Sequence, residues 1–189
     1  MEDHIVYLYT DGAALNNGKK SCRAAWAVFV AVDSPLNASG EIFVKPSNQH
    51  AELLGCLMAL RTIEAETLPN ADWEKARVFD IVTDSLYSIN CITKWSKAWA
   101  RNGYKTKNGK DVKHSKLIKD IVTLLDRLKT KHHVCFTHVN SHQCKPPLND
   151  KKYHLWFGNN QADKAARNVL TKYLTNVLRI DVGQPQNEV

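Results

Sequence analysis

Four carboxylates stand where a metal ion could be held. Asp11 follows the apolar and aromatic run Ile5-Val6-Tyr7-Leu8-Tyr9, Glu52 falls early in a periodic apolar stretch, Asp84 follows the apolar run from Val78 to Val82, and Asp163 opens a second periodic stretch. Acids at strand exits and helix starts are where a fold brings catalytic groups together. Converging carboxylates repel one another strongly unless divalent cations occupy the space between them. Hard oxygen donors without cysteine favour Mg²⁺, with Mn²⁺ able to substitute, over zinc. Two such ions, roughly 3.5–4 Å apart, would activate a water and stabilise the leaving oxygen of a phosphodiester. Taken singly, each acid also suits a cap or a surface position, and Asp11-Gly12 is also a common turn dipeptide.

The elements that must position these acids follow from periodicity and punctuation. The first strand runs through about Tyr9, Ala24 to Val32 alternates as a second, and Glu41 to Lys45 forms a short third. Short polar connections make these an antiparallel meander. A helix capped by Ser47 or Asn48 follows, with Ala51, Leu54, Met58 and Ile63 at helical spacing and Pro69 closing the region. Val78 to Val82 reads as a strand added parallel to the sheet after a helix. Ser85 to Trp95 and Leu117 to Leu128 read as helices, Val134 to Val139 as a fifth strand, Asn140 to Phe157 as a long loop and Asn160 to about Leu178 as a last helix. The polar remainder, 179–189, is expected to be a disordered tail behind one domain spanning 1–178.

The chain has 189 residues, enough for one domain with a full core, and no apolar run of membrane-spanning length. Met1-Glu2-Asp3-His4 leads into the first strand without a basic region and apolar core, so no secretory signal is expected. The five cysteines, Cys22, Cys56, Cys91, Cys135 and Cys144, are widely spaced and include no Cys-x-x-Cys. They read as free thiols of an intracellular, reducing compartment, cytoplasm or nucleus. His142, Cys144 and His154 match no standard zinc spacing.

The net charge of +7 is concentrated: residues 94–119 hold nine Lys/Arg against the single acid Asp111, and the rest of the chain has 17 basic against 18 acidic residues. A local basic patch is the footprint of a polyanion such as nucleic acid. A charge run is commonly only a solvated face, but Trp95, Trp99 and Tyr104 interleave this one and favour binding.

In order along the chain stand Thr10-Asp11-Gly12, Asn48-Gln49-His50-Ala51-Glu52-Leu53, Thr83-Asp84-Ser85, Trp95-x-x-x-Trp99, Asn102-Gly103-Tyr104-Lys105-Thr106 and Gly158-Asn159-Asn160-Gln161-Ala162-Asp163. With these motifs the chain resembles the type 1 ribonucleases H from about Val6 to Val169. The resemblance implies an α/β ribonuclease H-like fold, with a five-stranded mixed sheet, three strands antiparallel and then two parallel, flanked by helices. It implies a metal-dependent endonuclease that cuts the RNA strand of an RNA–DNA hybrid, leaving 5′-phosphate and 3′-hydroxyl ends; a monomer is expected, although the sequence leaves the oligomeric state open.

The same resemblance gives residues their expected roles. Asp11, Glu52, Asp84 and Asp163 match the metal-binding acids, and His142 the mobile histidine that assists proton transfer or product departure. Asn17, Asn48 and Gln49 match minor-groove contacts, where 2′-hydroxyls distinguish RNA from DNA. Tyr87, Trp95 and Trp99 match an aromatic channel beneath the DNA strand. Lys45 and Ser47, with His114 as a third candidate, match a DNA-phosphate site. Gly12, Ser85, Lys105, Thr106 and Asn159 fall in substrate-contacting motifs, and the basic segment matches the handle of the cellular enzymes. Ser141 replaces the usual glycine before the histidine, Asn160 stands where many relatives carry Glu, and the loop after His142 is longer than usual. That loop carries Lys145, Lys151, Lys152 and Trp156, and is expected to cover the active-site edge and add phosphate contacts. Two rivals are a DNA-directed enzyme on the same fold, which would lack Asn48-Gln49 and the basic handle, and a non-catalytic hybrid-binding module.

Overall fold

A computed structural model describes residues 5–66, 78–141 and 143–181. Five strands, β1 (Ile5–Leu15), β2 (Arg23–Phe29), β3 (Ala38–Ile42), β4 (Val78–Thr83) and β5 (His133–His138), form one sheet in the order β3-β2-β1-β4-β5. The β1–β2 and β2–β3 pairs are antiparallel, and the β1–β4 and β4–β5 pairs are parallel. The helices are α1 (Asn48–Glu66), α2 (Leu86–Asn90), α3 (Ser96–Arg101), α4 (Ser115–Leu128) and α5 (Tyr153–Asp181), with a π-helical turn, Cys91–Trp95, joining α2 to α3. None of the described helices is long and apolar enough to cross a membrane.

Alternation along β1 separates the two faces of the sheet. Val6 and Leu8 join Leu53, Leu57 and Leu60 of α1 and Ile118, Ile121 and Leu125 of α4 in the main core. Tyr9 points the other way, packing with Val82 and with Ala162 of α5. Helix α4 has the strict apolar stripe expected of an amphipathic helix, with Ile118, Ile121, Leu125 and Leu128 buried.

Two contacts without room for a side chain fix the helices. At Gly12 a Cβ would collide with the Glu52 backbone nitrogen and lie 2.7 Å from the Ala51 carbonyl carbon. At Gly158 a Cβ would enter the Tyr9 ring. The first contact lets the start of α1 press on β1, and the second lets α5 cross the opposite face.

Several boundaries differ from the sequence expectation. β1 does not end at Tyr9 and Asp11-Gly12 is not a turn. Asp11 pairs with Ala27 and Gly12 with Trp26, so the strand runs to Leu15. What ends at Thr10 is only the parallel pairing to β4, whose last partner is Thr83. Asp11 therefore sits at a fork where one neighbouring strand stops and the other continues. β3 starts and ends earlier than expected, its register set by Ala24 opposite Ile42, and Lys45 lies beyond it at φ 49°. Helix α5 begins at Tyr153 rather than Asn160, so Asp163 lies inside the helix and not in its first turn. Asp150 caps this extension, its carboxylate accepting from the Lys152 backbone N–H at 2.7 Å and its carbonyl from that of Tyr153 at 2.9 Å. The helix continues to Asp181, and 182–189 lie outside the described residues.

Candidate active site and nucleic-acid interface

At the β1–β4 fork the carboxylates of Asp11, Glu52 and Asp84 each place an oxygen within 4.8 Å of the others. Asp11 comes from the middle of β1, Glu52 from the second turn of α1 pressed onto Gly12, and Asp84 from the residue after β4. Asp163 approaches from α5, close enough to hydrogen bond with Asp11. All four line one open cleft of 1260 Å³.

This grouping is electrostatically costly. Burial, then the neighbouring Asp84, push the Asp11 carboxyl up to about 8, against the pull of the Gly12 N–H, which donates to Asp11 Oδ1 at 2.7 Å. Burial, then Asp11 and Asp84, hold Glu52 well above the carboxylate range, opposed by the Asn48 amide that donates to Glu52 Oε1 at 3.4 Å. Glu52 Oε2 is buried with no hydrogen-bond partner among the described residues. An orphaned buried oxygen beside two more carboxylates, with no sulfur donor, fits a hard divalent cation. Asp11, Glu52 and Asp84 would hold it, with Asp163 at the open side.

Arg167, which sequence reasoning missed, also lines the cleft and donates from Nε to Asp163 Oδ1 at 2.6 Å. The spacing of four within a helix was the available signal. It gives Asp163 an internal counter-charge within its own helix. His138, also missed, contacts the Asp84 carbonyl through Nε2 at 3.2 Å and so ties the end of β4 to β5.

The remaining expected site residues divide into two sets. Gly12, Asn48, Ser85, Tyr87 and Asn159 line the acid cleft. Of these, Ser85 is also the cap of α2, its Oγ accepting from the Ser88 N–H at 3.2 Å, and Asn159 Oδ1 is buried without a partner among the described residues. The others lie outside the cleft. Asn17 accepts from the Asn48 N–H at 3.2 Å and braces the start of α1. Ser47 Oγ accepts from the His50 N–H at 3.2 Å, and the Lys45 carbonyl lies 3.2 Å from His50 Nδ1. Gln49 Oε1 accepts from Lys113 Nζ at 3.3 Å, and His114 packs on His50 with ring centroids 5.1 Å apart. These two contacts dock the basic segment onto the start of α1. Burial, then His50, hold the His114 imidazole down at about 4. His142 lies outside the described residues.

Tyr87, Trp95 and Trp99 form a column that continues to Tyr104, with successive centroids 6.1, 5.7 and 6.4 Å apart. The π-helical turn aligns it. In a regular α-helix residues eight apart diverge by about 80°, and one extra residue in a turn cuts this to roughly 20°. The hydroxyls of Thr93 and Ser96 accompany the wide turn, donating to the Ile89 and Ile92 carbonyls, each at 2.7 Å. Beyond the column the chain folds into an exposed tip. Lys105 pairs with Asp111 at 2.6 Å, Thr106 N–H donates to the Lys110 carbonyl at 2.7 Å, and Lys107 and Lys110 are exposed.

The family described as RNase H matches residues 3–171, so the chain belongs to the RNase H family. It is 30% identical over 162 residues to mouse ribonuclease H1, covering 86% of this chain and 49% of that protein. It is 28% identical over 169 residues to a ribonuclease H of Clostridium botulinum, covering 89% of this chain and 97% of that one. The chain thus spans about half the length of the mammalian relatives it matches. The solution structure of the PFV RNase H domain superposes with a TM-score of 0.59 at 24% identity, covering 87% of this chain and 93% of that one, which shows the common fold.

Proposed function

We propose that this protein cleaves the RNA strand of RNA–DNA hybrids endonucleolytically, using two Mg²⁺ ions and leaving 5′-phosphate and 3′-hydroxyl ends. The reading is carried by one observation: three carboxylates, two of them buried, converge within 4.8 Å, one with an orphaned oxygen, in an open cleft of 1260 Å³. Bound ions supply the Lewis acidity that activates the attacking water and stabilises the leaving oxygen. Asp11, Glu52 and Asp84 fix where that chemistry occurs, because each comes from a different element locked to the same fork. Asn48 orients Glu52 through its amide. Asp163 completes the carboxylate set at the open side, where Arg167 holds it in place.

Substrate choice is assigned to the start of α1 and the segment docked on it. Asn17, Asn48 and Gln49 cluster at that helix end, which suits contacts to 2′-hydroxyls in a minor groove. The aromatic column offers apolar faces to sugars, and the exposed lysines of residues 94–119 offer charge to phosphates. A monomer acting in a reducing compartment remains our reading, the second part supported by five free thiols.

The test is incubation with Mg²⁺ and four matched labelled duplexes: RNA–DNA, RNA–RNA, DNA–DNA and DNA carrying one ribonucleotide. Cutting of the RNA strand in the hybrid alone is the expected result. Hybrid binding without cutting at any Mg²⁺ concentration would make the protein a binding module instead.

A further inference from the structure

The basic segment, for all its charge, contributes no residue to the lining of the acid cleft. Among the described residues the cations there are Arg167, committed to Asp163, and Lys152. Lys152 belongs to the stretch between β5 and α5, where Gln143, Pro146, Asp150 and Trp156 also line the cleft. Residues 143–152 carry three lysines, Lys145, Lys151 and Lys152, against one acid, and that acid is occupied in capping α5.

This wall is anchored along its length. Trp156 Nε1 donates to the Gln143 carbonyl at 3.1 Å, which closes the stretch on itself. Tyr153 packs against Trp156 and Phe157 at 5.8 and 6.1 Å, and Phe157 packs edge-on against Phe29 of β2 at 6.0 Å. The Asp150 N–H donates to the Pro147 carbonyl at 3.0 Å. The backbone is therefore fixed while the three lysine side chains are exposed. A pre-ordered backbone removes much of the entropy cost of gripping a ligand, and flexible point charges suit a run of phosphates better than a planar base.

We infer that residues 143–152 form a phosphate rail for the strand being cut, with Lys152 as its inner contact and Lys145 and Lys151 extending it outward. The inference rests on the hybrid-cleavage reading above and adds to it which strand this wall holds. A cation inside the cleft that contains the acids is placed for phosphates flanking the scissile one. The lysines of residues 94–119 lie outside that cleft and serve the other strand. The protein then grips each strand with a separate basic surface.

The experiment compares wild type with the triple variant Lys145→Gln/Lys151→Gln/Lys152→Gln, whose exposed positions leave the core untouched. Hybrid affinity is measured by fluorescence anisotropy against salt concentration in metal-free buffer, and cleavage by single-turnover kinetics with Mg²⁺. The triple variant should lose about one unit of salt slope per lysine that touches a phosphate, two to three in all. Its cleavage rate should fall about tenfold or more at sub-saturating protein and stay within about twofold at saturation. Hybrids with neutral methylphosphonates beside the cut locate the contact. Neutralising RNA-strand phosphates should weaken wild type and leave the triple variant unaffected, a coupling that DNA-strand neutralisation should not show. An unchanged salt slope, or coupling confined to the DNA strand, overturns the rail while leaving the cleavage reading intact. Wild-type protein that binds hybrid without cutting it overturns the cleavage reading and the rail together.

Discussion

In the acid cleft, buried Asp11 and Glu52 and half-buried Asp84 press like charges together, whereas in residues 94–119 nine cations spread over exposed surface, where Lys105 pairs with Asp111. The first region concentrates its cost in three side chains held by the backbone of three elements. The second distributes weak, screened contributions over many residues, none of which needs accurate placement. Chemistry at a bound ion demands the first arrangement, and holding a polyanion is served by the second.

The largest contrast should appear on removing single charges. Asp84→Asn should lower the Mg²⁺-dependent cleavage rate by about a thousandfold or more, as expected when several kcal/mol of transition-state stabilisation are lost, while hybrid affinity changes only a few-fold. Cleavage within tenfold of wild type would place the chemistry elsewhere.

Glycines in the two regions give the next contrast. Gly12→Ala must push α1 away from β1, and an overpacking cost of about 1–3 kcal/mol should appear as a lower thermal midpoint together with lost activity. Gly109→Ala meets nothing within 4 Å and carries only the strain of φ +73°, so activity should persist. Equal effects of the two substitutions on turnover would remove the distinction between a built site and an adaptable surface.

Protons and ions should compete in the cleft alone. The folded Asp11 carboxyl is pushed up to about 8, so the native state binds its proton more tightly than the unfolded chain does. Metal-free stability should therefore fall as pH rises from about 4 towards about 8 and level off above that, and Mg²⁺ should restore it with proton release, the gap between the two melting curves widening up to about pH 8. Scanning calorimetry with and without Mg²⁺ checks this. A gap independent of pH would contradict it.

The smallest effect is expected at the exposed tip. Lys107→Gln and Lys110→Gln should each lower the salt slope of hybrid binding by about one unit and leave the saturated cleavage rate unchanged. A loss of saturated rate would mean the tip does more than bind.

How much of this was legible in the sequence follows the same division. The acids, their order and the basic segment could be read because charge and strand-end position are local signals. Helix α4 and strands β4 and β5 could be read from simple periodicity. The continuation of β1 through Asp11 and Gly12 could not, because Gly12 serves a close approach by a helix some 40 residues later rather than a turn. The early start of α5 was hidden by Pro146-Pro147 and a polar run. Its signals were Asp150 as a cap and the aromatic spacing of Tyr153, Trp156 and Phe157. Arg167 was overlooked because an arginine four residues after an acid is ordinary helix surface until the acid proves catalytic. The resemblance pointed to His114 as a phosphate contact, and only the structure shows it packed on His50.

The clustered acids are arranged for ions at the expense of the metal-free fold. The thermal midpoints of wild type and Asp11→Asn at about pH 8, each with and without Mg²⁺, test it most directly. Asp11→Asn should raise the metal-free midpoint by roughly 2–4 °C, about 1 kcal/mol in a chain of this size, and abolish most of the Mg²⁺-induced rise. A variant that melts lower than wild type without metal, and still gains the full rise with it, would show that Asp11 supports the fold and that the ions bind elsewhere.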